Sequence, residues 1–251
     1  MLHFQKSLTI IPIVLVGAAV LSSNKVAATS VTADQRKVFE GVIRDYLLKE
    51  PIIIRQAIDR LRAQEEAAKK TKAAAALKNN KDELFYDKSS PVGGNPQGDV
   101  TIVQFFDYNC GYCKRAAHNL RAVMKNDPNL RVIFKEFAIL GPQSIKASRA
   151  ALAAQKQGKY IEFYEGLMAG KADEDSVAAL AHKLKMDYSQ LRKDMADPKI
   201  ETALQNNYEL ANVLGIKGTP VFVIGERVIP GAVGEEILTQ LIKEERAKKK
   251  Q

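Results

Sequence analysis

The sequence predicts an α/β fold in which a β-α-β half and a β-β-α half are separated by a helical insertion and preceded by a helical extension. Three observations carry this reading. A strand-like run, residues 101–106, leads into a helical one, 114–124, and then into a second strand, 130–136. Between residues 144 and 214 the apolar positions recur at helical rather than strand spacing. Strand character returns only at 221–224 and 227–229, ahead of a final helix at 235–248.

Residues 1–28 read as a secretory leader. Lys6 lies in the polar start, Leu8 to Leu21 is almost wholly apolar, and Val26-Ala27-Ala28 offers a small-residue cleavage site. The apolar run falls short of the roughly 20 residues a membrane-spanning helix needs, so cleavage is expected and an uncleaved anchor is the alternative. What remains of the 251 residues is enough for one large domain and an appendage.

Residues 29–80 form the expected helical extension and linker. Thr32 and Gln35 have the spacing of a capping box. Behind them Val38, Val42, Ile43, Tyr46 and Leu47 recur at helical spacing. Pro51 ends that helix or opens the next. There Ile54, Ala57, Ile58 and Leu61 continue the apolar stripe, with Arg55, Asp59, Arg60 and Arg62 on the other faces. From 62 to 77 alanine, lysine and glutamate make a helical connector with little to bury. Two short amphipathic helices cannot bury their own stripes, so self-association as a dimer or trimer is expected. Docking back as a surface flap is the alternative.

The main domain is placed at 81–251. Its early segment 89–96, Ser-Ser-Pro-Val-Gly-Gly-Asn-Pro, is turn-rich. The Gly93-Gly94 pair is not a phosphate loop, because no Lys-Ser/Thr follows it. The strand–helix–strand unit that comes next has the length of a parallel, right-handed crossover. Short helices at 144–157, 161–168, 176–184, 188–195 and 200–214 fill an insertion at about 142–215. Gly225-Glu226 is the expected hairpin turn of the last two strands.

The chemistry centres on Cys110-Gly111-Tyr112-Cys113, which holds the only two cysteines of the chain. A cysteine at the first turn of a helix faces unpaired N–H groups and the positive end of the dipole. In such sites thiol pKa values fall from about 8.5 to roughly 3.5–7.5. Cys110 is therefore the expected nucleophile, and Cys113, one turn on, the more buried partner. A structural disulfide is the lesser reading, because a loop this short staples little. A metal site is disfavoured too: zinc wants four ligands, and His3, His118 and His182 lack ligand spacing to the cysteines. His118 reads as a helix surface residue.

A second feature, Gly218-Thr219-Pro220-Val221-Phe222, puts a proline at the entry of a strand, where its missing N–H does least harm. X–Pro bonds are also the common place for a cis peptide. The formal net charge of +9 falls by two when Lys6 and Lys25 leave with the leader. The rest concentrates at Lys69-Lys70-Thr71-Lys72 and in the tail from Lys243. Such an excess suits nucleic acid or anionic surfaces. No aromatic-rich basic motif accompanies it, so solvated helix faces, and no nucleic-acid partner, are expected.

Over about residues 82–248 the chain resembles the DsbA-like branch of the thioredoxin superfamily. It stands close to exported members with an N-terminal helical oligomerisation segment, such as the ScsC and Com-like groups. The resemblance lies in Phe105-Phe106-Asp107-Tyr108-Asn109-Cys110-Gly111-Tyr112-Cys113, Phe134-Lys135-Glu136 and Gly218-Thr219-Pro220-Val221-Phe222-Val223-Ile224-Gly225. The N-terminal helices match in position more than in motif.

The resemblance implies a thioredoxin fold with an inserted helical domain and a thiol–disulfide oxidoreductase activity. Cys110 carries over as attacking cysteine, Cys113 as resolving cysteine, and Thr219-Pro220 as the cis-proline loop that receives an extended substrate. No cofactor is implied beyond the redox-active Cys110–Cys113 disulfide. The implied partners are unfolded or misoxidised client proteins and a membrane oxidase or reductase. The implied location is the periplasm, with association with the cell envelope if the leader stays.

Some residues depart from DsbA itself. Gly111-Tyr112 replaces a Pro-His dipeptide whose histidine helps stabilise the thiolate. Gly-Tyr, and Thr219 before the proline, instead resemble the DsbC-type isomerases. Gln104 stands where DsbA-like proteins often carry a buried acid. Glu136, on a neighbouring strand, is the candidate to replace it, against the competing reading of a solvent-facing salt bridge. Lys114 and Arg115 add positive charge near the dithiol or are ordinary surface residues. Isomerase is therefore favoured slightly over a monomer-like oxidase recharged by a membrane partner. Outside the enzyme class, a copper-handling or surface-binding protein is the alternative, and Thr219-Pro220 argues against it.

Overall fold

The structure, a computed structural model, describes residues 31–249, so the expected leader at 1–28 lies outside the described residues. The chain divides into two compact units between Arg60 and Leu61. The first contains α1 (Ala33–Lys49) and the opening turns of α2 (Ile52–Asn79). The capping box is formed: Gln35 N–H donates to Thr32 Oγ1 at 3.2 Å, and Thr32 N–H donates to Gln35 Oε1 at 3.0 Å. No residue of α1 is buried. The expected second helix and its connector are one 28-residue helix, α2. Nothing between Ile52 and Asn79 breaks it, and alanine, lysine and glutamate are strong helix formers.

The second unit begins within α2 and is built on a five-stranded mixed sheet. In chain order come α3 (Lys81–Phe85), β1 (Val92–Gly94), β2 (Val100–Phe106), α4 (Gly111–Asn126) and β3 (Leu130–Glu136). The insertion follows as α5 (Pro142–Lys156), α6 (Tyr160–Ala169), α7 (Glu174–Lys183), α8 (Tyr188–Asp194) and α9 (Pro198–Val213). Then β4 (Val221–Ile224), β5 (Arg227–Pro230) and α10 (Glu235–Lys248) complete the unit. The strand order is β1-β3-β2-β4-β5, with β2 and β3 parallel and every other pair antiparallel. This is the thioredoxin arrangement with its helical insertion.

Two elements differ from the sequence reading. α3 is a short helix where none was expected, and β1 occupies part of the segment read as a turn. β1 pairs with β3 through Val92↔Ile133 and Gly94↔Arg131. Its glycines serve close approach rather than a turn: a Cβ on Gly93 would lie 2.8 Å from the Phe134 ring. Gly94, at φ +69°, also abuts the Leu130 carbonyl.

Alternation along the strands splits the apolar residues between the two faces of the sheet. Val100, Ile102 and Phe106 of β2, with Leu130, Val132 and Phe134 of β3, pack against α4, α10 and much of the insertion. Val103, Phe105 and Ile133 face the other way, toward Leu77 of α2, Leu84 of α3 and Leu210 of α9. α4 turns Cys113, Ala116, Ala117, Leu120 and Val123 inward, a single stripe at helical spacing. Arg246, near the end of α10, clamps Asp99 ahead of β2 and Asp127 behind α4 with bonds of 2.6 to 3.2 Å. That clamp holds the far end of the unit; because β2 and β3 are parallel and α4 connects them, the carboxyl ends of both strands lie at the amino end of α4.

Candidate active site

β2 ends at Phe106 and the chain turns sharply into α4. Asp107 makes the turn: its Oδ1 accepts the Asn109 N–H at 2.8 Å, and its carbonyl accepts the Cys110 N–H at 3.2 Å. Cys110 is the N-cap of α4, in extended conformation, with its carbonyl accepting the N–H groups of Cys113 and Lys114. Its side chain makes no cap bond, which leaves the sulfur available. Both cysteines are free thiols. Cys110 is 8% exposed and Cys113 not at all, the order expected for attacking and resolving partners.

The Thr219–Pro220 peptide is cis, as expected, and sits against the dithiol. Cys110 Sγ donates to the Thr219 carbonyl oxygen at 3.4 Å across a sequence gap of 109 residues. Pro220 is buried at the entry to β4, and its carbonyl accepts the Gly231 N–H at 2.8 Å. Cys113 Sγ accepts the backbone N–H of Asp107 at 3.5 Å. Burial pushes the Cys113 thiol up to about 12, against the downward pull of the Thr219 side chain and the Asp107 N–H.

Between the cysteines, Gly111 and Tyr112 are exposed, and the Arg115 guanidinium lies 5.0 Å from the Tyr112 ring centroid. Lys114 bonds the Gly170 carbonyl, which ties the first turn of α4 to the end of α6. His118 is exposed on α4.

Beneath the dithiol lies a buried polar and aromatic layer. Gln104, on the same face of β2 as Phe106, accepts the Tyr164 hydroxyl at 2.9 Å. Glu136 is not solvent-facing and, among the described residues, pairs with no cation, which corrects the competing surface reading. It is 1% exposed and accepts from Tyr108 at 2.8 Å, Tyr160 at 2.7 Å and Ser148 at 2.7 Å. Burial pushes its carboxyl up to about 8 against the downward pull of those three bonds. The structure thus gathers Cys110, Cys113, Thr219 and Pro220 in one site. Gln104 and Glu136 lie in the layer below, and Gly111 and Tyr112 on the surface above.

Sequence reading missed the residues that bind this layer together. Asp107, Tyr108 and Tyr164 surround the dithiol, while Ser144 and Ser148 of α5 bond Asp107 and Glu136. A signal existed for the serines, which interrupt an alanine-rich face one turn apart. Among the described residues no group of three or more metal-ligating side chains converges, and no helix is long and apolar enough to cross a membrane.

A buried thiol one turn behind an N-cap cysteine, under a cis-proline loop on this sheet, defines a thiol–disulfide oxidoreductase of the thioredoxin fold. The chain belongs to the DsbA-like thioredoxin domain family, which residues 101–243 match. Residues 35–68 match a second family, the N-terminal domain of the copper resistance protein ScsC.

Solved structures agree. A thioredoxin-like oxidoreductase from Silicibacter pomeroyi is 44% identical, with a TM-score of 0.65, over 67% of this chain and 98% of that one. A linker-deletion mutant of Proteus mirabilis ScsC is 31% identical, with a TM-score of 0.67, over 88% of this chain and 100% of that one. BcfH of Salmonella enterica Typhimurium is 26% identical, with a TM-score of 0.71, over 85% of this chain and 96% of that one. Among curated relatives, a Na+/H+ antiporter of Salinispora arenicola is 26% identical over 155 residues. The match takes in 60% of this chain and spans only 24% of the antiporter's length.

Proposed function

We propose that the chain is exported to the periplasm by its leader and rearranges disulfides in unfolded or misoxidised client proteins, as an assembly joined through its N-terminal helices. The observation that carries the isomerase reading is the contrast between the two sulfurs. Cys110 keeps 8% of its surface exposed, with its Sγ donating to the Thr219 carbonyl, whereas Cys113 is fully buried with its thiol pushed up to about 12.

The steps follow from exchange chemistry. The Cys110 thiolate attacks one sulfur of a client disulfide, the S–S bond breaks, and the other client sulfur leaves as thiolate. The client is then joined to Cys110 by a mixed disulfide, its backbone laid along the Thr219-Pro220 loop as an added strand. If Cys113 attacks Cys110, the client leaves reduced and the protein oxidised, by two electrons. If a client thiolate attacks its own sulfur in the mixed disulfide, a new client pairing forms and Cys110 leaves as thiolate, with no net electron transfer. A protonated Cys113 delays the first exit and gives the second time to occur. The neutral Gln104 beneath the dithiol supports the same preference, because it offers the Cys113 proton no carboxylate there. A membrane partner keeps the pair in its working redox state, and no further cofactor is needed.

The test compares Cys110→Ala and Cys113→Ala on a scrambled multi-disulfide client. Cys113→Ala is expected to accumulate mixed disulfides and keep substantial rearrangement, and Cys110→Ala to show neither. In cells the wild-type pair is expected to be mostly reduced. A mostly oxidised pair would overturn the isomerase reading in favour of an oxidase. Absence of any mixed disulfide on Cys113→Ala would overturn the exchange reading altogether.

A further inference from the structure

Asp107 is fully buried between β2 and the dithiol, and its carboxyl group meets four donors. Oδ1 accepts the Asn109 N–H at 2.8 Å and the Ser144 hydroxyl at 2.7 Å. Oδ2 accepts the N–H groups of Ile139 and Leu140, each at 2.9 Å. Asn109 closes a ring by donating its Nδ2 to Ser144 Oγ at 3.1 Å. These four donors occupy both oxygens of the carboxyl group and fix its orientation.

This side chain joins three parts of the fold. One is the turn that carries Cys110, the second the segment leaving β3, and the third the first turn of α5, where the insertion begins. The same residue's backbone touches both cysteines: its carbonyl accepts the Cys110 N–H at 3.2 Å, and its N–H donates to Cys113 Sγ at 3.5 Å. That N–H lowers the Cys113 thiol against the burial that raises it. A donor aimed at a sulfur favours its charged form. The charged form is the one Cys113 must adopt to attack Cys110.

We propose that Asp107 is a positioning residue for the resolving step: its carboxylate, held by the 139–140 backbone, Asn109 and Ser144, keeps its own N–H on the Cys113 sulfur. In that step the Cys113 thiol gives up its proton and its thiolate bonds to Cys110 Sγ. The Cys110–client S–S bond breaks, and the client sulfur leaves as thiolate. The inference rests on the exchange reading above and specifies which half of the cycle the carboxylate serves. Loosening the carboxylate lets the N–H swing from the sulfur and slows resolution, while the first attack by Cys110 continues.

The test loads Cys110 with glutathione as a mixed disulfide and follows glutathione release in a single turnover, across pH, in Asp107→Asn and Ser144→Ala. Formation of the mixed disulfide is measured separately with the same substitutions in a Cys113→Ala background. Resolution is expected to slow about tenfold in Asp107→Asn and about threefold in Ser144→Ala, which removes one of the four bonds. Its pH profile should move to higher pH, and formation should stay within about twofold of its parent. Equal losses in formation and resolution would overturn the proposal and leave Asp107 a merely structural residue. So would an unmoved pH profile in both variants; Ser144→Ala keeps that test open if Asp107→Asn fails to fold. No mixed disulfide on the Cys113→Ala parent would instead sink the exchange reading itself.

Discussion

Tyr164 of α6 donates its hydroxyl to Gln104 of β2 at 2.9 Å, inside an aromatic layer formed with Phe106, Tyr108 and Phe134. Both residues are buried, so each is the other's substitute for water. Removing one partner strands the other, at about 1–3 kcal/mol, whereas replacing both by apolar groups of similar shape is close to neutral. Tyr164→Phe alone is therefore expected to destabilise by that amount, and Tyr164→Phe with Gln104→Leu to recover most of it. Urea unfolding of the two single variants and the double variant measures the coupling. Simple additivity of the two losses would show that the bond contributes nothing.

The neighbouring bonds of Glu136 give a pH signature. Its folded-state carboxyl stands at about 8, above the ordinary 4.5. Between those values the folded protein holds a proton that the unfolded chain has lost, so stability falls as pH rises from about 4.5 to about 8. Glu136→Gln keeps the shape and an acceptor for Tyr108 and Tyr160, and Ser148 can turn to accept from the new amide. The variant is expected to lose the decline across that window and to exceed wild type in stability at pH 8. Melting curves from pH 5 to 9 test this; parallel declines in the two proteins would refute it.

Lys135 and Glu136 also show where sequence reading stops. Adjacent charged residues at the end of a strand look like its solvent edge, yet both are about 1% exposed on opposite faces of the sheet. Lys135 finds Asp87 across 48 residues of sequence, and Glu136 finds two tyrosines and a serine. Such partners lie beyond any local period. By contrast β3, β4 and α10 are read to the residue, because a short apolar run and a helical run are local signals. β1 escaped because Gly93-Gly94 has the composition of a turn, and only the neighbouring Phe134 ring reveals why the side chains are absent. The dithiol and Thr219-Pro220 were legible as motifs. The Asp107–Ser144 bond that frames them was not, since nothing in either residue's neighbourhood points to the other.

The Lys135–Asp87 pair should respond unequally to loss of its two members. The Lys135 side chain is 2% exposed and that of Asp87 25%, with 2.7 Å between Nζ and Oδ2. Asp87→Ala leaves a buried ammonium without its counter-charge, at about 3–5 kcal/mol. Lys135→Met leaves a carboxylate that reaches water and still accepts from Ser89 and Ser90, so the loss should be smaller. Burial alone would raise the Asp87 carboxyl, but Lys135, Ser90 and Ser89 outweigh it and hold it at about 2. Its folded value lies below the ordinary 3.8, so the pair's contribution is complete above 3.8 and is lost as pH falls toward about 2. Acid unfolding of Lys135→Met should accordingly be shallower than wild type across that range. A Lys135→Met loss equal to or larger than that of Asp87→Ala would contradict the asymmetry.

The N-terminal helix supplies the last prediction. Val38, Phe39, Val42, Ile43 and Tyr46 of α1 are each more than half exposed and share one helical face. Fully burying an aliphatic or phenylalanine side chain contributes about 1.5–3 kcal/mol, so several such residues meeting a second copy of α1 suffice for association. Val42→Glu with Ile43→Glu puts charge in the middle of this face while leaving the helix its capping box and its propensity. Sedimentation equilibrium is expected to show the wild type as an assembly and the double variant as a single chain. Exchange with a small disulfide such as oxidised glutathione should be unaffected, because the dithiol lies in the other compact unit. Rearrangement of a scrambled protein client should fall, since one copy alone no longer offers several dithiols to one client. If wild type and variant sediment at the same mass, α1 does not join copies of the chain and the assembly proposed for rearrangement is wrong.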